Sequence, residues 1–125
     1  MQYPPDRKYH PEHMWVKVED GEALVGISDF AQDQLGKVVY VDVPQPGDEI
    51  AAGQEMGAVE SAKSVSDLVA PVDGLVLAAN QSLGDQPSLI NEDPYGQGWI
   101  ARVKLTDPGQ LDSLLDAAAY GSRLA

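Results

Sequence analysis

Residues 57–71 read GAVESAKSVSDLVAP and place one lysine between two strand-like runs. The first run extends from Gln54 to Glu60 and the second from Val65 to Ala70. Short apolar runs of this kind, interrupted by small polar residues, are typical of β-strands joined by a turn. The pattern therefore predicts a β-hairpin with Lys63 at its tip.

Similar runs, separated by turn signals, occupy most of the remaining chain. Asp20-Gly21 is a hairpin signal between two of them, and the prolines at 44 and 46 end another, since proline cannot donate to a central strand. Many short strands at this spacing predict a mainly β fold, a small antiparallel sandwich or barrel, in one domain spanning residues 1–125. The further predicted strands are 13–19, 23–27, 37–43, 74–79 and 98–105.

Two segments, near 28–35 and 108–120, predict short helices. Ser28 is suited to cap the first helix, and Gly36 is suited to end it. The second is expected to begin with Asp107 as its cap and Pro108 in its first turn, and to end near Gly121. Its leucines at 111, 114 and 115 repeat at helical spacing, so we expect them to face inward.

The composition, 43% hydrophobic and 22% charged, is that of a folded protein, and it narrows the classes of partner. Twenty acidic residues against eight basic ones give a net charge of −12, which disfavours nucleic acid and suits partners with basic docking surfaces. No apolar run approaches the roughly 20 residues that span a bilayer. The N-terminal residues MQYPPDRKYHPEH show no signal or transit pattern, so we expect a cytoplasmic protein or the mature form of an organelle protein.

Catalytic and metal constellations are weak in this sequence. There is no cysteine, which removes thiolate metal sites and Cys nucleophiles. His10, Glu12 and His13 lie close together, but Pro11 breaks any helical register between them, so no metal site is expected. There is no Gly-x-Ser-x-Gly elbow, and the glycines at 96 and 98 lack the features of a phosphate loop. We therefore expect a protein that is not itself an enzyme.

Lys63 is the strongest candidate for chemistry. Most lysines are solvated surface charges, and that alternative stands here too. However, its neighbours Ala62 and Ser64 are small, and the acidic residues Glu60 and Asp67 lie on either side. A lysine at the tip of a rigid hairpin is a suitable anchor for a covalent cofactor on a swinging arm, because tethering raises the local concentration of the cargo at each partner's active site.

At this point the chain resembles a known family, the H proteins of the glycine cleavage system. The resemblance extends over nearly the whole chain and depends on several specific motifs. The long ones are VESAKSVSDLVAPVDG at 59–74, VGISDFAQDQLG at 25–36 and NEDPYGQGW at 91–99, and the short ones are HMWV at 13–16, VPQPG at 43–47 and DSLLDAAAY at 112–120.

The resemblance implies a lipoyl-domain-like barrel-sandwich hybrid of two antiparallel sheets, with lipoic acid in amide linkage on Lys63. It also implies that Glu60 and Gly74 take part in recognition by the lipoylating enzyme. The family carries the aminomethyl group of glycine from a pyridoxal-phosphate decarboxylase (P protein) to the tetrahydrofolate-dependent T protein. Electrons then pass to a dihydrolipoyl dehydrogenase (L protein). The implied role is thus that of a carrier within a multienzyme system.

One departure from the family pattern concerns Met14, where the family usually has a glutamate between histidine and tryptophan. A carboxylate there could bind the charged amine of the loaded arm, and a methionine cannot. This departure keeps open an alternative role, an H-like lipoate relay or redox scaffold for other lipoyl-dependent enzymes. A biotin carrier fits less well, because biotin carriers resemble Met-Lys-Met at the tip and this chain has Ala-Lys-Ser.

Overall fold

The computed structural model describes residues 2–124 and has two antiparallel sheets, neither of which closes on itself. The six-stranded sheet has the order β1-β2-β3-β9-β8-β5, and the three-stranded sheet has the order β4-β6-β7. The strands are β1 (Lys8–Tyr9), β2 (Met14–Glu19), β3 (Glu22–Ile27), β4 (Val38–Asp42), β5 (Glu49–Ile50), β6 (Glu55–Ser61), β7 (Val65–Val69), β8 (Gly74–Ala79) and β9 (Ala101–Leu105). The predicted mainly β fold of two antiparallel sheets is confirmed.

The predicted turn at Asp20-Gly21 joins β2 to β3. Both residues have positive φ, 52° for Asp20 and 79° for Gly21, as expected for a two-residue hairpin turn of the type that matches strand twist. The register that follows pairs Val16 with Val25 and Trp15 with Gly26. A Cβ at Gly26 would lie 2.7 Å from the Trp15 indole, so glycine is what allows the ring to lie flat across β3.

Side chains from both sheets form the main hydrophobic core. It includes Val16 and Val25 of the large sheet and Val59 and Leu68 of the small sheet, all of which are almost fully buried. A second cluster, made of Tyr9, Trp15 and Tyr120, covers the other face of β2. The Trp15 indole nitrogen donates to the Pro94 carbonyl at 3.0 Å, so the buried ring has its polar atom satisfied.

Three α-helices connect the strands. The predicted helix α1 spans Asp29–Leu35, with the Ser28 hydroxyl accepting from the Ala31 amide as an N-cap. Two four-residue helices, α2 (Ser82–Asp85) and α3 (Leu89–Glu92), were not predicted, because such short segments show no helical periodicity. The strands β1 and β5 were not predicted either, because two residues are too few to show the alternation of a strand. Within residues 2–124 no helix is long and apolar enough to cross a membrane.

The prediction of a single continuous helix near 108–120 is wrong. The segment is a 3₁₀ helix, Pro108–Ser113, followed by extended backbone at Leu114 and then by helix α4, Ala117–Leu124, which runs through Gly121 instead of ending there. Leu115 breaks the helix because it exchanges two backbone hydrogen bonds of 2.8 Å with Tyr9.

The caps and leucines of this segment also differ from the prediction. Asp107 makes no capping hydrogen bond; Asp116 does, accepting from the Ala119 amide at 2.8 Å. Leu111 and Leu114 are only partly buried, against the main core, and Leu115 packs against the aromatic cluster instead. The leucines therefore do not form one inward helical face.

Candidate functional site

Lys63 lies at the tip of the β6–β7 hairpin, as predicted. The last regular pair is Glu60 with Val65, and the tip consists of residues 61–64. Ser61, which is buried, closes this tip, because its hydroxyl accepts from the Ser64 amide at 3.1 Å and from the Lys63 amide at 3.3 Å. Its own amide donates to the Ser64 carbonyl at 2.8 Å. The backbone beneath Lys63 is therefore held by one serine, which the sequence reading did not single out.

The exposed Lys63 side chain passes over Gly36, the residue that follows α1. A Cβ at Gly36 would lie 3.4 Å from Lys63 Cε and 3.8 Å from Nζ. The hairpin is also tied to this segment by the Ala62 amide, which donates to the Lys37 carbonyl at 3.2 Å. The lysine thus starts from a braced tip while its amine stays accessible.

Asn91, from the NEDPYGQGW motif, fastens the segment under the lysine. Its side-chain oxygen accepts from the Val38 amide at 2.8 Å, and its side-chain nitrogen donates to the Gly36 carbonyl at 2.8 Å and to Gln32 at 3.1 Å. One amide side chain therefore links the end of α1 to the start of β4. Sequence reasoning noted the motif but could not assign this role.

A groove begins beside the lysine and runs between α1 and β7, with a volume of about 410 Å³. Residues 64–69 form one wall, and Phe30, Ala31, Gln34 and Leu35 of α1 form the other. Met14 and Ile27 of the large sheet also line it. Apolar side chains dominate the helix wall, so the groove suits a hydrocarbon arm with a polar end.

The structure places Met14 in this groove, where it is 1% exposed and packs into the main core. The carboxylates that line the groove are those of Glu12 and Asp67, both on exposed residues. A cationic end group in the groove would therefore meet an acid from one of these positions and not from residue 14.

A hydrogen-bonded chain supports the groove from behind. The Tyr120 hydroxyl lies 2.7 Å from His13 Nδ1 and 2.7 Å from the Ser28 hydroxyl, which caps α1. Burial lowers the pKa of His13, although the nearby Glu12 charge opposes this, and burial raises the pKa of Tyr120 to about 12. Both groups are therefore neutral at pH 7. The hydrogen bonds of the Tyr120 hydroxyl link α4 to the N-terminus of α1, the helix wall of the groove.

The other two predicted site residues lie in different surroundings. Glu60 is exposed on β6, close to the tip, and pairs with Tyr40 on one side and Val65 on the other. Gly74 is buried at the start of β8, in the six-stranded sheet, where a Cβ would lie 2.9 Å from the Lys104 carbonyl oxygen. The structure therefore places Glu60 on the hairpin of Lys63 and gives Gly74 a packing role in the other sheet.

The histidines considered for a metal site have other partners. His10 Nδ1 accepts from the Glu12 amide at 3.0 Å, and His13 Nδ1 is bonded to Tyr120. Among the described residues, no group of three or more His, Asp or Glu side chains is placed to hold a metal ion.

An accessible lysine on a braced hairpin of a two-sheet β protein, with a groove beside it, has the arrangement of a carrier that holds a covalent cofactor on a swinging arm. The comparisons with known proteins agree with this class. The family model described as glycine cleavage H-protein matches residues 7–125. The chain belongs to the glycine cleavage H-protein family.

Individual relatives support the same assignment over almost their whole length. The glycine cleavage system H protein of Marinobacter nauticus is 53% identical, with 98% of this chain and 95% of that protein covered. That of Symbiobacterium thermophilum is 52% identical, with 94% and 91% covered. A crystal structure of a glycine cleavage system H protein from Mycobacterium marinum superposes with a TM-score of 0.90 at 38% identity, covering 97% of this chain and 98% of that one.

Proposed function

We propose that this carrier of the glycine cleavage system holds a lipoyl group in amide linkage on Lys63. The observation that carries the proposal is the placement of Lys63, whose exposed side chain leaves a braced tip next to Ser64, a residue that lines the groove. The proposal takes residues 1–125 as one carrier domain, which is supported by the main core, since it includes side chains of both sheets.

The residues around Lys63 fit such a group. Ala62 and Ser64 are small and exposed, so an enzyme can reach Nζ from outside. Attachment needs Nζ to attack the carboxyl carbon of an activated lipoyl donor, an acyl adenylate or a thioester. One amide bond forms, Nζ loses a proton, and AMP or the thiol leaves with the electron pair of the broken bond.

When bound, the lipoyl group supplies a disulfide that accepts the aminomethyl group of glycine and an electron pair, and reoxidation of the dithiol restores it. We expect the partners to be the P protein, the T protein, the L protein and a lipoylating enzyme. The protein's own contribution is to set the root of the arm and to offer a partly dry groove for its far end. Phe30 and Leu35 would exclude water there, and Glu12 or Asp67 would pair with a cationic end group.

Intact mass after incubation with a purified lipoylating enzyme and lipoyl donor tests the attachment. The chain is expected to gain the mass of one lipoyl group, and Lys63→Ala is expected to gain nothing. Lys37→Ala, which removes another exposed lysine near the hairpin, is the matched control and should be modified like the unchanged chain. Modification that persists in Lys63→Ala would falsify the assignment.

The proposed recognition residues are tested in the same assay. We expect Glu60→Gln to slow lipoylation without changing stability, because Glu60 is exposed. Gly74→Ala is expected both to slow lipoylation and to destabilise the fold, since its Cβ would approach the Lys104 carbonyl oxygen to 2.9 Å. If Glu60→Gln is modified at the normal rate, Glu60 has no part in recognition.

Met14 is the observation that favours a second candidate, an H-like lipoate relay or redox scaffold. Residue 14 offers no carboxylate to a loaded arm, so the protein would still be lipoylated but would sustain glycine turnover poorly. Glycine decarboxylation reconstituted with the purified partner enzymes separates the two candidates. A lipoylated protein that supports many turnovers supports the glycine cleavage role, and one that supports none supports the relay.

A further inference from the structure

Three strongly exposed apolar side chains cluster beside the Lys63 hairpin. Val39, Tyr40 and Val65 are 47%, 58% and 66% exposed, more than Val18 and Leu77, the exposed large apolar residues elsewhere in the described chain. Large exposed apolar side chains gathered in one place mark contact surfaces more often than single ones do. None of the three is needed for the braced tip described above.

The register of the small sheet brings these residues together. Tyr40 pairs with Glu60, and Glu60 pairs with Val65. The side chains of Tyr40, Glu60 and Val65 therefore form one row across β4, β6 and β7. The register shifts between Val38 and Tyr40, and the bulge leaves Val39 and Tyr40 exposed in succession. β-Bulges often re-aim side chains at functional surfaces.

The next row of the same face adds acidic charge. Asp42 pairs with Ala58, and Ala58 pairs with Asp67, so two carboxylates lie beside the apolar row and a third, Glu60, lies within it. All three acids are on exposed residues, and the chain as a whole has a net charge of −12. This hairpin face, defined by Val39, Tyr40, Asp42, Glu60, Val65 and Asp67, therefore combines three exposed apolar side chains with three carboxylates, and Glu60 lies between Tyr40 and Val65.

We propose that the hairpin face is the docking surface for the enzyme that attaches the lipoyl group to Lys63, a partner that presents apolar side chains interspersed with Lys or Arg. The inference rests on the proposed function of Lys63. The attaching enzyme must bring its active site within bonding distance of Nζ, so it covers the surface around the hairpin. The other partners act on the far end of the arm and not on Nζ. The three carboxylates complement basic side chains of the partner and disfavour acidic surfaces.

Steady-state lipoylation of the full-length chain tests the proposal, with a purified lipoylating enzyme and lipoyl donor. The variant V39T/Y40T removes the apolar character on β4 and keeps β-propensity, and V18T/L77T is the matched control at exposed apolar positions on β2 and β8. We expect kcat/KM to fall about tenfold in V39T/Y40T, mainly through KM, as for loss of an aromatic anchor at an interface. The control is expected to stay close to the unchanged chain.

Two further measurements keep the outcome specific. Thermal unfolding of V39T/Y40T should match that of V18T/L77T, which separates lost docking from lost folding. Once V39T/Y40T is fully lipoylated by prolonged incubation, glycine turnover should equal that of the unchanged chain. Lipoylation of V39T/Y40T with unchanged KM would overturn the proposal, as would an equal loss in glycine turnover. Failure of the unchanged chain to be modified at Lys63 would instead overturn the proposed function.

The contribution of the acidic residues to docking is tested by salt. KM for lipoylation of the unchanged chain should rise between about 0.05 M and 0.5 M NaCl, because ions screen exposed charges. In Asp42→Asn the starting KM should be higher and the rise with salt smaller. Glu49→Gln, an exposed acid on β5 in the other sheet, is the control and should keep the original salt dependence. If Asp42→Asn also keeps it, the charge part of the proposal is wrong.

Discussion

The segment under Lys63 depends on the conformation of a single residue, Gly36. Its φ of 76° and ψ of −158° lie in a region that is essentially restricted to glycine. The same residue ends α1 and lets the Lys63 side chain pass close to the backbone. The geometry of the candidate site is thus linked to the end of the groove's helix.

We expect Gly36→Ala to lower the free energy of unfolding by about 1–3 kcal/mol, because a Cβ makes this backbone conformation costly. Its Cβ would lie 3.4 Å from Lys63 Cε, which is ordinary contact, so lipoylation of the folded variant should proceed at the normal rate. Gly84→Ala is the matched control, since nothing lies within 4 Å of its Cβ, and its stability should be unchanged or slightly higher. Chemical denaturation measures both, and equal stabilities would contradict the argument.

At the level of secondary structure, the groove owes its shape to α1 and β7, while its charge comes from a loop and an edge strand. Glu12 precedes β2 and Asp67 belongs to β7. Met14, buried at 1% exposure, contributes only apolar surface. A cationic arm in the groove would therefore meet an acid at Glu12 or Asp67 and not at residue 14.

The position of Glu12 in the groove lining predicts a role for this residue. In Glu12→Gln the lifetime of the loaded arm is expected to fall roughly two- to fivefold, the effect of losing an ion pair worth about 0.5–1 kcal/mol at a solvent-accessible site. The release of the aminomethyl group from the purified loaded protein, followed over time without partner enzymes, measures it. Glu49→Gln, on β5, should leave the lifetime unchanged. An unchanged lifetime in Glu12→Gln would exclude Glu12 and leave Asp67 as the acid to test.

The helix wall itself is held by a contact between distant elements. The Tyr120 hydroxyl of α4 connects His13 to Ser28, the cap of α1. Tyr120→Phe removes this hydroxyl and leaves the buried Ser28 hydroxyl and the half-buried His13 ring without this hydrogen-bond partner. We therefore expect a loss of about 1–3 kcal/mol in the free energy of unfolding. Tyr40→Phe, which removes an exposed hydroxyl, should change little. Equal effects in the two variants would show that the Tyr120 hydroxyl contributes nothing.

Local patterns predicted most elements of this fold, and non-local contacts explain the rest. Alternating runs and the Asp20-Gly21 turn were enough for the main strands. Lys63 was singled out by its place between two strands, its small neighbours and the acids on either side. The break near Leu115 depends on hydrogen bonds to Tyr9, more than 100 residues away, which no local pattern records. The His13–Tyr120 contact was invisible in the sequence for the same reason.

Across the whole molecule, the segment around Tyr9 and the segment around Tyr120 meet on one face of the large sheet. Tyr9 and Tyr120 stack with ring centroids 4.8 Å apart, and Tyr9 also exchanges hydrogen bonds with Leu115. Arg7 lies over the Trp15 ring at 4.7 Å and donates to the Tyr95 carbonyl. The groove's helix wall therefore rests on contacts made by both segments, so global stability and the groove respond together.

Histidine titration gives a whole-molecule prediction. Burial is the main cause that lowers the pKa of both His10 and His13 from the ordinary value of 6.5. Between the lowered pKa of the folded chain and 6.5, the unfolded chain therefore binds more protons. The free energy of unfolding must then fall as the pH drops through 6.5 towards the folded pKa values.

We expect the chain to be measurably less stable at about pH 5.5 than at about pH 7.5 by chemical denaturation, because the imidazoles resist protonation while folded. Asp6 acts at lower pH, because its pKa is lowered, mainly by the hydrogen bond to Arg7. The variant His13→Asn tests the source, since asparagine tolerates the φ of 71° at this position. Its stability should depend less steeply on pH, whereas an unchanged slope would assign the effect to other groups.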